Sequence, residues 1–422
     1  MLLGFLYEMG GTWVTHHMGY LFREMVRYGM DRDLITTGSP DMHKGYYTIN
    51  VPGTKPRKLS HEEAGAIMAR AWDAFVNVDG QFGRTICPLP HAQLDNRVVD
   101  RATVENWDQV SCQDRFLQIQ HELTAEEQGF LVSLLLHISG GHMETSSLWD
   151  MIRSQALLMH STDNFNDIWL RYKLRDGQSA LAKKMFDEAV ETGLDYAFST
   201  PIKSITQQST ADERVVVRTT SGETFQARKL ITTVPLNVLK EIEFQPALSA
   251  KKQEAIKIEH VNHMNKIHAD VANPELERWN GMRFPGMLMY GYADGVLPNG
   301  DVHLTAFGAD ERPHFLPERN PEKAVAEFKA LHPMDVKRMV SSANKHRSFT
   351  IRHAAHANSS YRSSTTGART PTRKAVQHGG GLATCQSIRT SCRTGMETFS
   401  SPRLTGHMAG ELLSMAPWNR EL

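Results

Sequence analysis

Two short segments hold residues of the right kind to do chemistry. Gly10-Gly11-Thr12-Trp13 joins paired glycines to a tryptophan. Without side chains the glycines let backbone lie flat against a planar ring, and an indole can wall that ring off. The same residues suit a tight turn with a core tryptophan, and the motif alone does not choose. Lys266-Ile267-His268-Ala269-Asp270-Val271 alternates polar and apolar, so on a strand Lys266, His268 and Asp270 share one face. A solvated polar face is the bland account of that pattern; a lysine placed for chemistry is the other. Neither G-x-S-x-G nor H-E-x-x-H occurs, which removes the nucleophile elbow and the common zinc helix. His16-His17 and the pair His137 and His142 lack the carboxylate spacing of a two-histidine metal site and read as ordinary surface or loop histidines. Cysteines 87, 112, 385 and 392 form no C-x-x-C and have no histidines at zinc spacing, so no metal ligand is assigned and no disulfide framework is expected.

The elements that must position these segments are partly legible. Ser60 with Glu63 forms a capping box ahead of a helix over 60–79, whose apolar stripe is Ile67, Met68, Ala71, Trp72, Phe75 and Val76. A second capped helix begins at Thr124 with Glu127, runs through Phe130 to Ile138 and stops at Gly140-Gly141; a third covers about 179–191 and ends at Gly193. Strand character then takes over. Arg214 to Thr219, a turn at 221 and 222, and Glu223 to Val234 make a hairpin or meander. Further strands fit Lys266 to Val271, Gly286 to Tyr292 and Asp301 to Gly308, with one more helix over Glu322 to Leu331. Helices and strands mix without clean βαβα alternation, so a plain doubly wound domain is not enough.

The chain of 422 residues, 40% hydrophobic, is long enough for two interleaved domains with cores of their own. No run approaches the ~18 apolar residues of a membrane-spanning helix, and the opening Met1 to Leu6 is too short for a secretory signal. A soluble intracellular protein is the expectation. The net charge of zero hides a split: residues 336 to 422 carry 13 Lys or Arg against 3 Asp or Glu, and the rest carries 34 against 44. A nucleic-acid-binding tail is one account of that asymmetry, and a weaker one than the account below.

Several segments resemble the flavin-containing monoamine oxidases, especially the fungal type. Tyr7-Glu8-Met9-Gly10-Gly11-Thr12-Trp13-Val14 is similar to the family's E-x-G-G-x-W segment beside the isoalloxazine ring. Pro201-Ile202-Lys203-Ser204-Ile205, the valine strand, Ala227, Thr233-Val234-Pro235-Leu236 and Phe244-Gln245-Pro246 with Leu248 follow the family's order through the return to its cofactor domain. There the resemblance gives the Ile202 backbone the adenine end of FAD, and Thr233, Val234 and Pro235 the turn back to the cofactor. The Lys266 strand, with Asn273-Pro274-Glu275-Leu276 behind it, resembles the strand whose lysine holds a water against the flavin. Tyr172 to Leu181 is a weaker match, with Asp176 where a glycine is usual. The resemblance implies an α/β fold: a Rossmann-like FAD-binding domain, incomplete, interleaved with a substrate domain of mixed sheet and helices. It implies FAD-dependent oxidation of a small, primary amine to imine and aldehyde with reduction of dioxygen to hydrogen peroxide. Lys266 is the catalytic residue, and Gly10, Gly11, Thr12, Trp13, Ile202, Thr233, Val234 and Pro235 meet the cofactor. No nucleic acid or membrane span is implied; a homodimer and a cytoplasmic or peroxisomal location are.

Two departures bear on activity. No G-x-G-x-x-G occurs, and Gly379-Gly380-Gly381 does not substitute, so the expected unit that would seat the FAD pyrophosphate on a helix N-terminus is missing. The family's aromatic C-terminal segments are also missing in the frame translated. Codons started on the third base of the present ones force glycine at Met396-Glu397, Met408-Ala409 and Met415-Ala416, and glutamate at Trp418-Asn419. The remaining codons then permit a family-like ending, HGNVLFASADWAHGWRAAINGALEQGT, across 395 to 422. An out-of-frame segment from about 341 therefore accounts for the acid-poor tail. The expected division is 1–45, remnant of the FAD-binding domain; 46–195, mainly helical substrate-domain segment; 196–240, return to the FAD-binding domain; 241–340, substrate-domain sheet and helix; and 341–422, an aberrant, disordered tail. The competing expectation is a truncated, inactive remnant that binds no FAD.

Overall fold

The computed structural model of the chain describes residues 8–332 except 9, 38–43, 90–98, 141–142, 165–167, 209–213, 259–263 and 310–320, together with the backbone of 351–354. In chain order the elements are α1 (Gly19–Arg27), β1 (Leu34–Thr36), β2 (Tyr46–Asn50), β3 (Arg57–Ser60), α2 (His61–Val76), α3 (Arg101–Asp108), α4 (Cys112–Ile119), α5 (Ala125–Ser139), α6 (Leu148–Leu157), β4 (Tyr172–Leu174) and α7 (Gln178–Glu191). They continue with β5 (Ile202–Gln207), β6 (Val215–Thr219), β7 (Thr224–Ala227), α8 (Leu236–Leu239), β8 (Glu243–Gln245), α9 (Ala250–Ile258), β9 (Met264–Val271), β10 (Trp279–Arg283), β11 (Tyr290–Val296), β12 (Val302–Ala309), α10 (Pro321–Leu331) and β13 (Ile351–Ala354).

The helical half is built on its caps. Ser60 and Thr124 each accept from the amide three residues on while Glu63 and Glu127 return the bond, and Gly140 ends α5 in the left-handed region that glycine reaches without strain. The stripe beneath α2 then buries Ala71, Trp72, Phe75 and Val76 against α5 and α6 through Leu131, Leu135, Met151 and Ile152.

A seven-stranded sheet runs β13-β9-β12-β11-β10-β2-β3, antiparallel except for the parallel pair β10 and β2. Its alternation sorts two faces. Ile267, Ala269, Leu304 and Ala306 point to one side and pack on Ala324, Phe328 and Leu331 of α10. The other side carries Lys266, His268 and Asp270 on β9, paired in register with Phe307, Thr305 and His303 on β12. A smaller sheet, β7-β6-β5-β8, holds the meander, and β1 pairs with β4.

Three boundaries differ from the sequence pattern. The β-type run to Val234 pairs only as far as Ala227; from 228 to 235 the chain is irregular and leaves Ile231 76% exposed. Among the described residues no strand lies beside it to take its amides, and β propensity alone makes no strand. The strand expected from Gly286 starts at Tyr290, because the Glu327 carboxylate on α10 takes the Met287 amide at 3.0 Å and the Arg283 guanidinium at 2.7 Å. Ile351–Ala354, inside the 341–422 segment set apart in the sequence, lies antiparallel beside β9 at the sheet edge.

Candidate active site

The site forms where the first described residues cross the polar face of the large sheet. Trp13 makes a bridge to Lys173, and the Val14 amide donates to the Tyr172 carbonyl at 2.9 Å, so this segment is held along β4. The weakly matching stretch from Tyr172 thus acquires a job: the Gln178 amide, at the start of α7, donates to Glu8 Oε2 at 2.9 Å. Pinned at both ends, the segment meets β9. Lys266 Nζ donates to Thr12 Oγ1 at 2.6 Å and approaches the Gly10 carbonyl at 3.4 Å. Gly10, Gly11, Thr12, Trp13 and Lys266 therefore come together in space.

Lys266 is 5% exposed. Burial pulls its pKa down to about 8, while the carboxylates of Glu8 and Asp294 pull the other way. Burial also raises the Glu8 carboxyl above its ordinary value, against the Gln178 amide and Lys266. Lys173 and Asp294 form an ion pair behind them. The result is a buried lysine near a half-buried carboxyl rather than a solvated polar face.

Aromatic rings complete the surroundings. The Trp13 ring centre lies 6.0 Å from both Tyr292 and Phe307, and its indole N–H donates to Thr37 Oγ1 at 2.8 Å. Lys266 Nζ stands 5.5 Å from the centre of the Phe307 ring. His137, in the last turn of α5, meets Phe307 edge-on at 4.7 Å and Tyr290 at 6.0 Å. Its Nδ1 is buried with no hydrogen-bond partner among the described residues, and burial lowers its pKa to about 4. His137 is therefore not a surface or loop histidine, as its spacing suggested. The signal was available: His137, with Ser133, interrupts the otherwise apolar run from Phe130 to Ile138. His16 and His17 are exposed, and His142 lies outside the described residues. A small cleft of about 50 Å³ opens beside this cluster, lined by Trp13, Tyr47, Leu170, Asn280, Tyr290 and Tyr292.

A Cβ built on Gly10 meets no atom of the described residues within 4 Å. Open space against bare backbone, next to a buried ammonium and an indole, fits the edge of a planar redox ring. The other expected contacts lie on the small sheet. Ile202 opens β5 beside a shift in register, half-buried; Thr233 is exposed, Val234 half-buried, and Pro235 caps α8. No hydrogen bond joins these four to the Lys266 group among the described residues. Among those residues no set of three His, Cys, Asp or Glu is arranged to hold a metal, and no helix is long and apolar enough to cross a membrane.

Comparison with known proteins bears on this arrangement. Residues 1–383 match the family described as flavin containing amine oxidoreductase. Pseudooxynicotine dehydrogenase of a Pseudomonas species is 27% identical over 335 residues, which is 78% of this chain and 61% of that protein. Nicotine dehydrogenase of Pseudomonas putida is 24% identical over 264 residues, 63% of this chain and 50% of that protein. The chain thus spans between half and about three fifths of the length of these curated relatives. Putrescine oxidase, solved with putrescine bound, superposes with a TM-score of 0.62 at 16% identity, covering 84% of this chain and 75% of that one. That similarity establishes the mixed α/β, Rossmann-like flavoprotein fold.

Proposed function

Since the chain belongs to the flavin containing amine oxidoreductases, we propose that it is built as an FAD-dependent amine oxidase with Lys266 as the catalytic residue. The observation that carries this is the buried Lys266 ammonium held against Thr12 and Gly10, beside an open glycine face and the Trp13 indole. Bound FAD supplies two-electron oxidation of the C–N bond of a small amine, with dioxygen as the final acceptor and hydrogen peroxide as product. The protein's share is orientation and a dry environment. Gly10, Gly11 and Thr12 would present backbone to the flavin, Trp13 would wall it, and Lys266, whose pKa burial lowers to about 8, would hold a water beside it. Tyr290, Tyr292 and Phe307 form an aromatic wall for the substrate, and the neutral His137 offers it a hydrogen-bonding group. Ile202 is assigned to the adenine end, and Thr233, Val234 and Pro235 to the turn that brings the chain back to the cofactor.

The test is direct. The purified full chain is supplied with FAD, washed, and examined for flavin absorbance; a panel of primary and secondary amines is then added without oxygen. Retained flavin that bleaches with an amine and releases peroxide on admitting air supports the proposal. Retained flavin that no amine bleaches sinks the catalytic assignment. A second reading, a folded remnant that holds no FAD, draws on the unpaired run Leu230 to Val234 and its exposed Ile231; a colourless protein after FAD treatment supports it. For residues from about 341 onward we propose out-of-frame translation. Transcript sequencing tests this, and an intact frame encoding Ser341 to Leu422 with no family-like ending in either alternative frame rejects it.

A further inference from the structure

Behind Lys266 a row of polar groups runs along the same face of β9 and β12 and is used by none of the steps above. Asp270 Oδ1 lies 2.9 Å from His303 Nδ1, and His303 Nε2 lies 3.0 Å from His268 Nδ1. Thr305 Oγ1 approaches the same His268 nitrogen at 3.2 Å. His268 Nε2 lies 3.2 Å from the Glu8 carbonyl oxygen. The two imidazoles are parallel within 14°. Both are fully buried, whereas the Asp270 side chain keeps 19% of its surface in contact with solvent. Cross-strand register places Asp270 opposite His303 and His268 opposite Thr305, so the array is built by two rungs of the ladder.

The protons follow from the acceptors. A carbonyl oxygen only accepts, so His268 Nε2 carries a hydrogen and donates to Glu8. Burial holds His268 well below its ordinary pKa and hence neutral, which leaves Nδ1 as the acceptor for His303 Nε2–H and the Thr305 hydroxyl. The contact between His303 Nδ1 and Asp270 Oδ1 then holds a proton of its own, and through it Asp270 orients His303. The imidazole nitrogens are spent on one another and on backbone, which is why two histidines and a carboxylate here make no metal site. We propose that Asp270, His303 and His268 are positioning residues that fix the tautomer of His268 and, through the Glu8 carbonyl, seat the Glu8–Trp13 segment above Lys266. Lys266 and His268 then hold this one segment at two points, Gly10 with Thr12 and Glu8. The consequence for FAD rests on the function proposed above; the clamp itself does not.

The test compares His268→Leu with His268→Gln in the full chain. A glutamine amide can donate to the Glu8 carbonyl and accept from His303, whereas leucine fills space and does neither. Amide exchange read by mass spectrometry over residues 10–14 is expected to quicken about tenfold in H268L and to stay within about threefold of wild type in H268Q, the scale of one buried hydrogen bond. Exchange in α2 and α5 is the control for folding. Equal exchange in the two variants overturns the proposal. Should H268L fail to fold, nitrogen-15 NMR of the wild-type histidines decides it: protonation at Nε2 of His268 is required, and protonation at Nδ1 overturns the clamp. FAD titration adds a third arm, in which H268L binds about tenfold more weakly and H268Q recovers. Wild-type protein that takes up no FAD defeats the proposed function while leaving the exchange result to judge the clamp.

Discussion

At the scale of single residues, the site is defined by ionisable groups moved away from water. Lys266 has a folded pKa of about 8 against an ordinary 10.5, so the unfolded chain binds more protons between those values and stability rises with pH across that window. Below it, the buried ammonium is a net cost that the attraction of Glu8 and Asp294 does not offset. Lys266→Met is therefore expected to leave stability at neutral pH unchanged or raised by up to about 2 kcal/mol, to flatten the alkaline slope, and to slow amine-dependent flavin reduction about 100-fold. Denaturant melts across pH together with single-turnover kinetics check all three; a large loss of stability would show that the lysine is structural. His137 has the same sign in a lower window. Its pKa of about 4 against an ordinary 6.5 means that its contribution is full above 6.5 and lost as pH falls towards 4. His137→Phe keeps a ring in the aromatic cluster, and is expected to lose on the order of 2 kcal/mol less than wild type between pH 6.5 and 4.

At the scale of elements, local chemistry was legible where it is complete within a few residues. Ser60 with Glu63 and Thr124 with Glu127 place the starts of α2 and α5 in the sequence and in the structure alike. The polar alternation of Lys266, His268 and Asp270 gives their common face correctly, but the partners that decide whether that face is wet or dry, Glu8, Phe307 and His303, are distant in sequence. The same limit explains the late start of β11. Nothing in Gly286 to Met289 announces Glu327, whose carboxylate takes two of its amides. Gly308 shows how tightly this corner is built: a Cβ there would stand 1.5 Å from the Met287 carbonyl oxygen. Gly308→Ala must displace backbone and is expected to cost about 3 kcal/mol or more, at the upper end of point-mutant effects. Gly300→Ala, with its φ of +83° but no atom within 4 Å, should cost only the ~1 kcal/mol of a strained turn. Equal effects in thermal melts would contradict the close approach.

At the scale of the whole molecule, packing is uneven in a way that bears on cofactor binding. The large sheet and the helical layer bury Trp72, Phe75, Trp279, Tyr292 and Phe328 almost completely. The stretch that carries Ile202 and the Thr233–Pro235 turn is different: Ile231 within it is 76% exposed, and just ahead of it Tyr196, 54% exposed, forms a surface aromatic trio with Phe186 and Phe198. Regions with few buried contacts open at low free-energy cost, so residues 196–258 are expected to exchange amide hydrogens well before β9, β12 and α5. A ligand that binds only the folded state stabilises by about 2.7 kcal/mol at 100 times its dissociation constant. If FAD spans both groups of residues, that stabilisation falls where opening is easiest. Saturating FAD should then slow exchange in 202–207 and 230–235 as well as 10–14, while the helical layer around Trp72 stays unchanged. Protection confined to 10–14 would place the flavin ring at Lys266 and remove Ile202, Thr233, Val234 and Pro235 from the cofactor's contacts.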